Sequence, residues 1–360
     1  VERRRESNKI IKNGRDEKAD RRERDRSSFY DGRGKSKDLR HIKRRDFKWM
    51  SVICKVDGKE FKDEKSLHLS LKSYGLNKVK YYQTYYERRD LLTNELINFK
   101  TKEQYFSSDF NDKNNMKKWL KQQPIEKAQE YCKQLLIKRK NNKNLIYAPT
   151  QVELRTIMAP SIIFYNKIFK DYYDICSSIG LENRFIHPNL IGDNFKNKLK
   201  QNDTIYVDTR EQSWLKFNTP FEIKTLSFGD YTCSNNNCGC FIERKSLSDF
   251  ISTLSVKNYD RFKNEIDKAR RNNAYIIVMV EETLTNALSF QYLPHISKKI
   301  KATPEYIFHN VRELLQGYDN LQFLFVDGRK EMTELIESIF ASKCFYKKID
   351  LQLAYDMKIL

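Results

Sequence analysis

The chain has 360 residues, with 68 Lys and Arg against 48 Asp and Glu and a formal net charge of +20. That length suits two or three domains, and the charge calls for a polyanionic partner, nucleic acid before anionic membrane. No apolar run reaches the length of a membrane span and no signal-peptide pattern opens the chain, which begins with Val rather than Met.

Residues 1–46 are dominated by Arg, Lys, Glu and Asp with almost no apolar periodicity, and they read as a disordered basic arm. Such an arm either lies along phosphates or is a solvated tail. Over 47–100 the pattern changes. Ser51-Val52-Ile53-Cys54, Gly58-Lys59-Glu60-Phe61 and Ser66-Leu67-His68-Leu69 resemble a small zinc-finger-like module in which a β-turn precedes a helix. Asp57 and Tyr74 stand where two of the four ligands would be, so the expectation is a degenerate, metal-free unit with Phe61, Leu67 and Leu71 as its core. Lys65 and Lys72 on its helical side are candidate DNA-backbone contacts. Residues 101–145 read as a helical linker, in which Pro124 opens a helix beginning at Ile125.

Residues 146–187 predict three short helices, with Thr150 and Ser161 as caps and Gly180 as a terminator. The Pro149-Thr150, Pro160-Ser161 and Gly180-Leu181 pattern resembles the homing-endonuclease-associated repeat, a helical DNA-binding element. That resemblance implies Arg155, Lys167 and Lys170 as phosphate contacts; the alternative is a packing adaptor between domains.

Residues 203–343 predict an α/β sheet flanked by helices, and 344–360 a C-terminal tail. Thr204–Val207, Phe221–Leu226 and Cys240–Ile242 are rich in β-branched and aromatic residues and read as strands. Adjacent strands would bring Asp208, Asp230 and Glu243 to one edge, where three carboxylates repel unless a cation sits among them. Oxygen-only ligands favour Mg²⁺ or Mn²⁺. Lys245, two residues after Glu243, shares its strand face. A lysine beside a carboxylate-held cation suits phosphodiester hydrolysis. Asp249 is either a support for that site or a helix N-terminal charge. Ala274–Val280 reads as a strand buried on both faces. Cys233, Cys238 and Cys240 cluster in the hairpin between Asp230 and Glu243 and are expected as hairpin residues rather than zinc ligands. An odd cysteine count without framework spacing fits an intracellular, reducing compartment.

The series Val207-Asp208-Thr209-Arg210-Glu211, Gly229-Asp230-Tyr231 and Ile242-Glu243-Arg244-Lys245 resembles the nuclease domain of XPF/Hef/Mus-type structure-specific endonucleases, with Tyr259-Asp260-Arg261-Phe262 downstream. The resemblance implies a restriction-endonuclease-like mixed sheet and a metal-dependent DNA endonuclease acting on branched or junction DNA. It implies Asp208, Asp230 and Glu243 as metal ligands and Lys245 as catalytic. It adds Arg210, Glu211, Arg244, Asp249 and Arg261 as supporting or phosphate-binding groups, and a possible homodimer through this domain. Arg210 and Glu211 are equally readable as a structural ion pair. The helix-hairpin-helix pair usual after this domain has no counterpart in the 15 or so residues that follow, and with the homing-type repeat this suggests a viral or mobile-element protein. The competing functions are a non-catalytic DNA-binding scaffold and a homing or restriction-like sequence-specific enzyme. An inactive copy is expected to lose an acid or the lysine of Glu243-Arg244-Lys245, and this chain retains them.

Overall fold

The protein, a computed structural model, is described over residues 51–200 and 202–360; the basic arm expected at 1–46 lies outside the described residues. Among the described residues, those up to Leu69 and those from Ser70 to Leu360 fall in separate compact units. In the first, β1 (Val52–Ile53) pairs antiparallel with β2 (Glu60–Phe61). The hairpin closes through Cys54 N–H to the Lys59 carbonyl at 2.8 Å, with Gly58 at φ 74° supplying the left-handed turn. Helix α1 (Glu64–Ser70) follows, its first turn fixed by Ser66 N–H donating to Asp63 at 2.7 Å. The boundary falls inside the expected 47–100 module. Residues 70–100 belong to the larger unit, where Tyr82 stacks on Phe99 at 4.7 Å and the Tyr105 hydroxyl donates to the Tyr86 carbonyl.

The larger unit begins with a helical layer: α2 (Lys78–Tyr85), α3 (Lys102–Ser107), α4 (Lys113–Gln122), α5 (Ile125–Lys143), α6 (Gln151–Arg155), α7 (Ile162–Ile168) and α8 (Tyr172–Ser178). Side-chain oxygens start most of these, as the orphan N–H groups of a first turn require. Asn77, Thr101, Asp112, Thr150, Ser161 and Asp171 each accept such an N–H. Thr150 and Glu153 complete a reciprocal capping box. Gly180 leaves α8 at φ 73°. Phe110, Leu136, Tyr165, Tyr172 and Cys176 form the core of this layer.

The sheet has six strands: β3 (Ile205–Asp208), β4 (Phe221–Lys224), β5 (Tyr231–Cys233), β6 (Cys240–Lys245), β7 (Tyr275–Val280) and β8 (Leu321–Phe325), in spatial order β4-β3-β5-β6-β7-β8. β5 runs antiparallel to both β3 and β6, and the remaining pairs are parallel. This is a mixed α/β architecture, a six-stranded central sheet flanked by helices, as expected. Phe250, Phe262, Ile266, Val311 and Leu314 cover one face, from α9 (Leu247–Thr253), α10 (Tyr259–Arg271) and α12 (Pro304–Gly317); the short α11 (Leu284–Ala287) joins them. The other face packs on α13 (Arg329–Ala341) and α14 (Leu351–Asp356). With both faces covered, every residue of β7 and β8 is buried, which explains the unbroken apolar run of β7; the one polar residue of β8, Gln322, is satisfied by the Tyr275 hydroxyl, the Tyr346 carbonyl and the Leu351 N–H.

Two expectations are corrected. Residues 344–360 are not a tail. Ile349, Leu351 and Ala354 are buried in the sheet core, Leu353 enters the helical-layer core, and the Gln352 side chain accepts the Phe325 N–H at 2.8 Å. The hairpin cysteines are not alike either. Cys238 is joined to Cys344 across 106 residues with a Cα–Cα distance of 5.5 Å, while Cys233 and Cys240 are buried thiols.

Candidate active site

The register of three strands sets the site. Val207 pairs with Tyr231 and Tyr231 with Ile242, so Asp208, Asp230 and Glu243 stand side by side at one edge of the sheet. Backbone bonds lock the row: Asp208 N–H to the Asp230 carbonyl at 2.9 Å, and Asp230 N–H to the Ile242 carbonyl at 2.7 Å. The approach requires Gly229. It sits at φ 59°, and a Cβ there would come within 2.8 Å of the Ile242 carbonyl oxygen.

The three acids are treated differently. Asp208 is 1% exposed and its acceptor positions are taken by its own chain. Oδ1 accepts the Arg210 N–H and Nε at 2.8 and 2.6 Å; Oδ2 accepts the Leu226 N–H at 2.7 Å and Arg210 Nη2 at 3.1 Å. Burial alone would raise its pKa, but the Arg210 side chain and the two N–H groups more than offset this and hold it below the ordinary carboxylate range. The oxygens of Asp208, expected as a metal ligand, are thus engaged by Arg210 and the backbone in this structure. Among the described residues no group of three acidic, His or Cys side chains is arranged to hold a metal ion.

Asp230 and Glu243 are the acids that open to solvent, in a cleft of about 470 Å³ shared with Arg210, Lys245, Arg261 and Glu265. Burial, and then the Glu243 charge, push the Asp230 carboxyl up to about 7, against the pull of the Arg244 N–H and Lys245. One Asp230 oxygen accepts that N–H at 2.7 Å. Lys245 Nζ lies 2.6 Å from Glu243 Oε1, which places both on the same strand face as expected. A carboxylate pair whose charges cannot comfortably coexist, offering oxygen donors only, fits a hard divalent cation such as Mg²⁺ or Mn²⁺. Arg210, held from behind by Asp208, also feels the charges of Asp230 and Glu243.

The other expected residues separate. Arg244 points to the opposite face, where it bridges Glu211 at 3.0 Å and Glu281 at 2.6 Å; Arg329 meets Glu281 at 3.4 Å. Glu211 and Arg244 thus brace β6 from behind. Glu281 and Arg329 belong to that brace and carried no motif signal in the sequence: the parallel pairing of β6 with β7 brings Glu281 near, and the helix after β8 brings Arg329. Arg261 stands on the cleft rim, 3.7 Å from Glu265. Asp249 lies in the first turn of α9, where its carboxylate accepts the Ser246 hydroxyl at 2.6 Å and its N–H donates to the Ser246 cap at 3.2 Å, so the helix-charge alternative describes its contacts. Arg155, expected on phosphates, is instead tied to Asp356 at 2.9 Å and to the Thr285 hydroxyl at 2.8 Å, which corrects that expectation. Lys65, Lys72, Lys167 and Lys170 are exposed.

Residues 207–339 match the ERCC4 domain. No curated protein matches the chain. Among solved structures, XPF from Aeropyrum pernix in complex with DNA is similar over 38% of this chain and 62% of its own length, at 20% identity and a TM-score of 0.30. The chain thus spans less than two thirds of that structure.

Proposed function

We propose, from the premise that residues 207–339 are an ERCC4 domain of the XPF nuclease type, that the protein is a divalent-cation-dependent DNA endonuclease acting on branched or junction DNA inside the cell. The observation that carries the reading is the cleft in which Asp230, Glu243 and Lys245 meet, with the Asp230 carboxyl pushed up to about 7 by burial and the Glu243 charge. Asp230 and Glu243 would hold Mg²⁺ or Mn²⁺. Such a cation, when bound, draws charge from the scissile phosphate and helps orient water in line with the leaving oxygen.

The chain's own groups supply the rest. Lys245, fixed by Glu243, presents N–H donors to the phosphate oxygens as negative charge builds on them. Arg210 holds a phosphate oxygen from the other side; two hydrogen bonds from its guanidinium to Asp208 keep it aimed without a search through rotamers. Arg261 on the rim favours entry of the strand. The formal charge of +20 supports affinity for the backbone at large.

Incubation with Mg²⁺ or Mn²⁺ and labelled flap, fork, nicked and plain duplex DNAs tests the reading. Cleavage should need the cation and fall by at least about a thousandfold in Asp230→Ala and Lys245→Ala. Binding of every substrate with cleavage of none would leave a DNA-holding scaffold instead, and cleavage of plain duplex at one sequence would leave a restriction-like enzyme.

A further inference from the structure

The loop between β3 and β4 is fastened on every side but one. The Ser213 N–H donates to Glu211 at 2.9 Å and the Leu215 N–H to the Tyr231 hydroxyl at 3.2 Å. The Asn218 and Thr219 N–H groups share the Glu337 carboxylate at 3.0 Å each, and Arg329 donates to the Ser213 and Trp214 carbonyls at 2.5 and 3.2 Å. Leu215 is buried and Phe217 packs edge-on against Tyr231 at 5.4 Å. Trp214 alone of the loop's large apolar side chains turns outward, at 42% exposed. A fixed backbone presenting a part-exposed indole is a stacking platform whose ordering cost is already met in folding.

Trp214 shares a cavity of about 380 Å³ with Lys216, Asn218, Arg329, Lys330 and Glu334. Three cations face one carboxylate, and among the described residues neither Lys216 nor Lys330 has an ion-pair partner. The wall is two side chains from the catalytic strand. Arg329 contacts Glu281, and Glu281 contacts Arg244, which lies between Glu243 and Lys245 but faces the other way. The cavity is thus joined to β6 through the ion pairs on the side of the strand that faces away from the cleft.

We infer that this cavity holds an unpaired nucleotide of a single-stranded arm of the DNA substrate, with its base on Trp214 and its phosphate on Lys216 and Lys330. The inference rests on the nuclease reading of the neighbouring cleft. Stacking accepts any base and lysines take phosphate as point charges, so the site takes single-stranded DNA without sequence preference. A paired, stacked base has no free face to offer, which makes the cavity a determinant of specificity for substrates with single-stranded arms.

The test titrates the full-length protein with a ten-residue oligothymidylate in EDTA, read by tryptophan fluorescence and by anisotropy, and separately follows cleavage with Mn²⁺. Oligothymidylate should quench the wild type. Trp214→Ala should bind about tenfold more weakly, and Trp214→Phe should recover most of the affinity. Lys216→Ala with Lys330→Ala should reduce the slope of log affinity against log salt by about 1.4, two single-strand phosphates' worth. Thermal unfolding of each variant checks folding; if Trp214→Ala does not fold, Trp214→Phe and the lysine pair carry the comparison. Wild-type affinity and salt slope in the folded variants would overturn the site while leaving cleavage to stand. Loss of binding as expected, with no cleavage by the wild type under any divalent ion, would sink the nuclease reading instead.

Discussion

Asp208 and Glu243 stand in the same row of carboxylates, yet their surroundings give them different work. Asp208 holds Arg210; Glu243 faces the cleft with one oxygen on Lys245. Asp208→Asn should therefore loosen Arg210 and lower the rate at saturating Mn²⁺ by about a hundredfold, leaving the Mn²⁺ concentration for half-maximal rate unchanged. Glu243→Gln should shift that concentration upward. A metal titration of both variants decides; a shift in Asp208→Asn would return it to the ligand set. Motif spacing could not separate the two acids, because both lie in short acidic words at strand ends. The difference is made by Arg210, which wraps back onto Asp208, together with Leu226, whose N–H reaches Asp208 from a neighbouring turn.

Helix α6 was expected to meet DNA, and its partners make it a joint instead. The Gln151 N–H donates to Asp350 and the Gln151 amide to Asp356, each at 2.6 Å, and Arg312 donates to the Thr156 hydroxyl at 3.0 Å. Arg155→Ala should lower stability by about 2 kcal/mol without changing the salt slope of DNA binding. Lys167→Ala with Lys170→Ala, both residues being exposed, should do the reverse if that helix end touches phosphates. Denaturant unfolding and anisotropy at several salt concentrations measure the two effects. Asp350 adds a pH signature to the same joint. Burial pushes its carboxyl up to about 6, against the Gln151 and Leu353 N–H groups. The folded state then holds this proton more tightly than the unfolded chain. Its contribution is full below about pH 4 and is lost as pH rises through about 6, a change on the order of 3 kcal/mol. Asp350→Asn should flatten that part of the stability profile, even from a lower baseline; an unchanged slope would assign it elsewhere.

Across the whole molecule, the helical layer, the sheet and the C-terminal helix interlock. Leu353 lies in the helical core while its neighbours Leu351 and Ala354 lie in the sheet core. A fragment limited to 203–343, the boundaries suggested by the motif, loses that helix and the Gln352 contact with β8. It should unfold at lower temperature than a fragment spanning 70–360, as calorimetry would show. Much was legible beforehand. The caps Thr150 and Ser161, the Gly180 terminator, the buried run of β7 and the acidic row across three strands all follow from local rules, since a first turn needs an acceptor and an unbroken apolar strand needs two covered faces. The function of the C-terminal segment was not legible, because a short amphipathic stretch gives no sign of which surface it will cover.

By itself the sequence determined which chemistry was possible: a row of carboxylates with a lysine on the same strand face, within a strongly basic chain. Those features depend on residue identity and on the two-residue repeat of a strand. Only the tertiary structure decided which acids remain free for a cation, which arginines brace and which reach out, and that the final helix closes the core. Each of these turns on a hydrogen-bond donor or an apolar face arriving from far along the chain, and spacing within a motif carries no information about that.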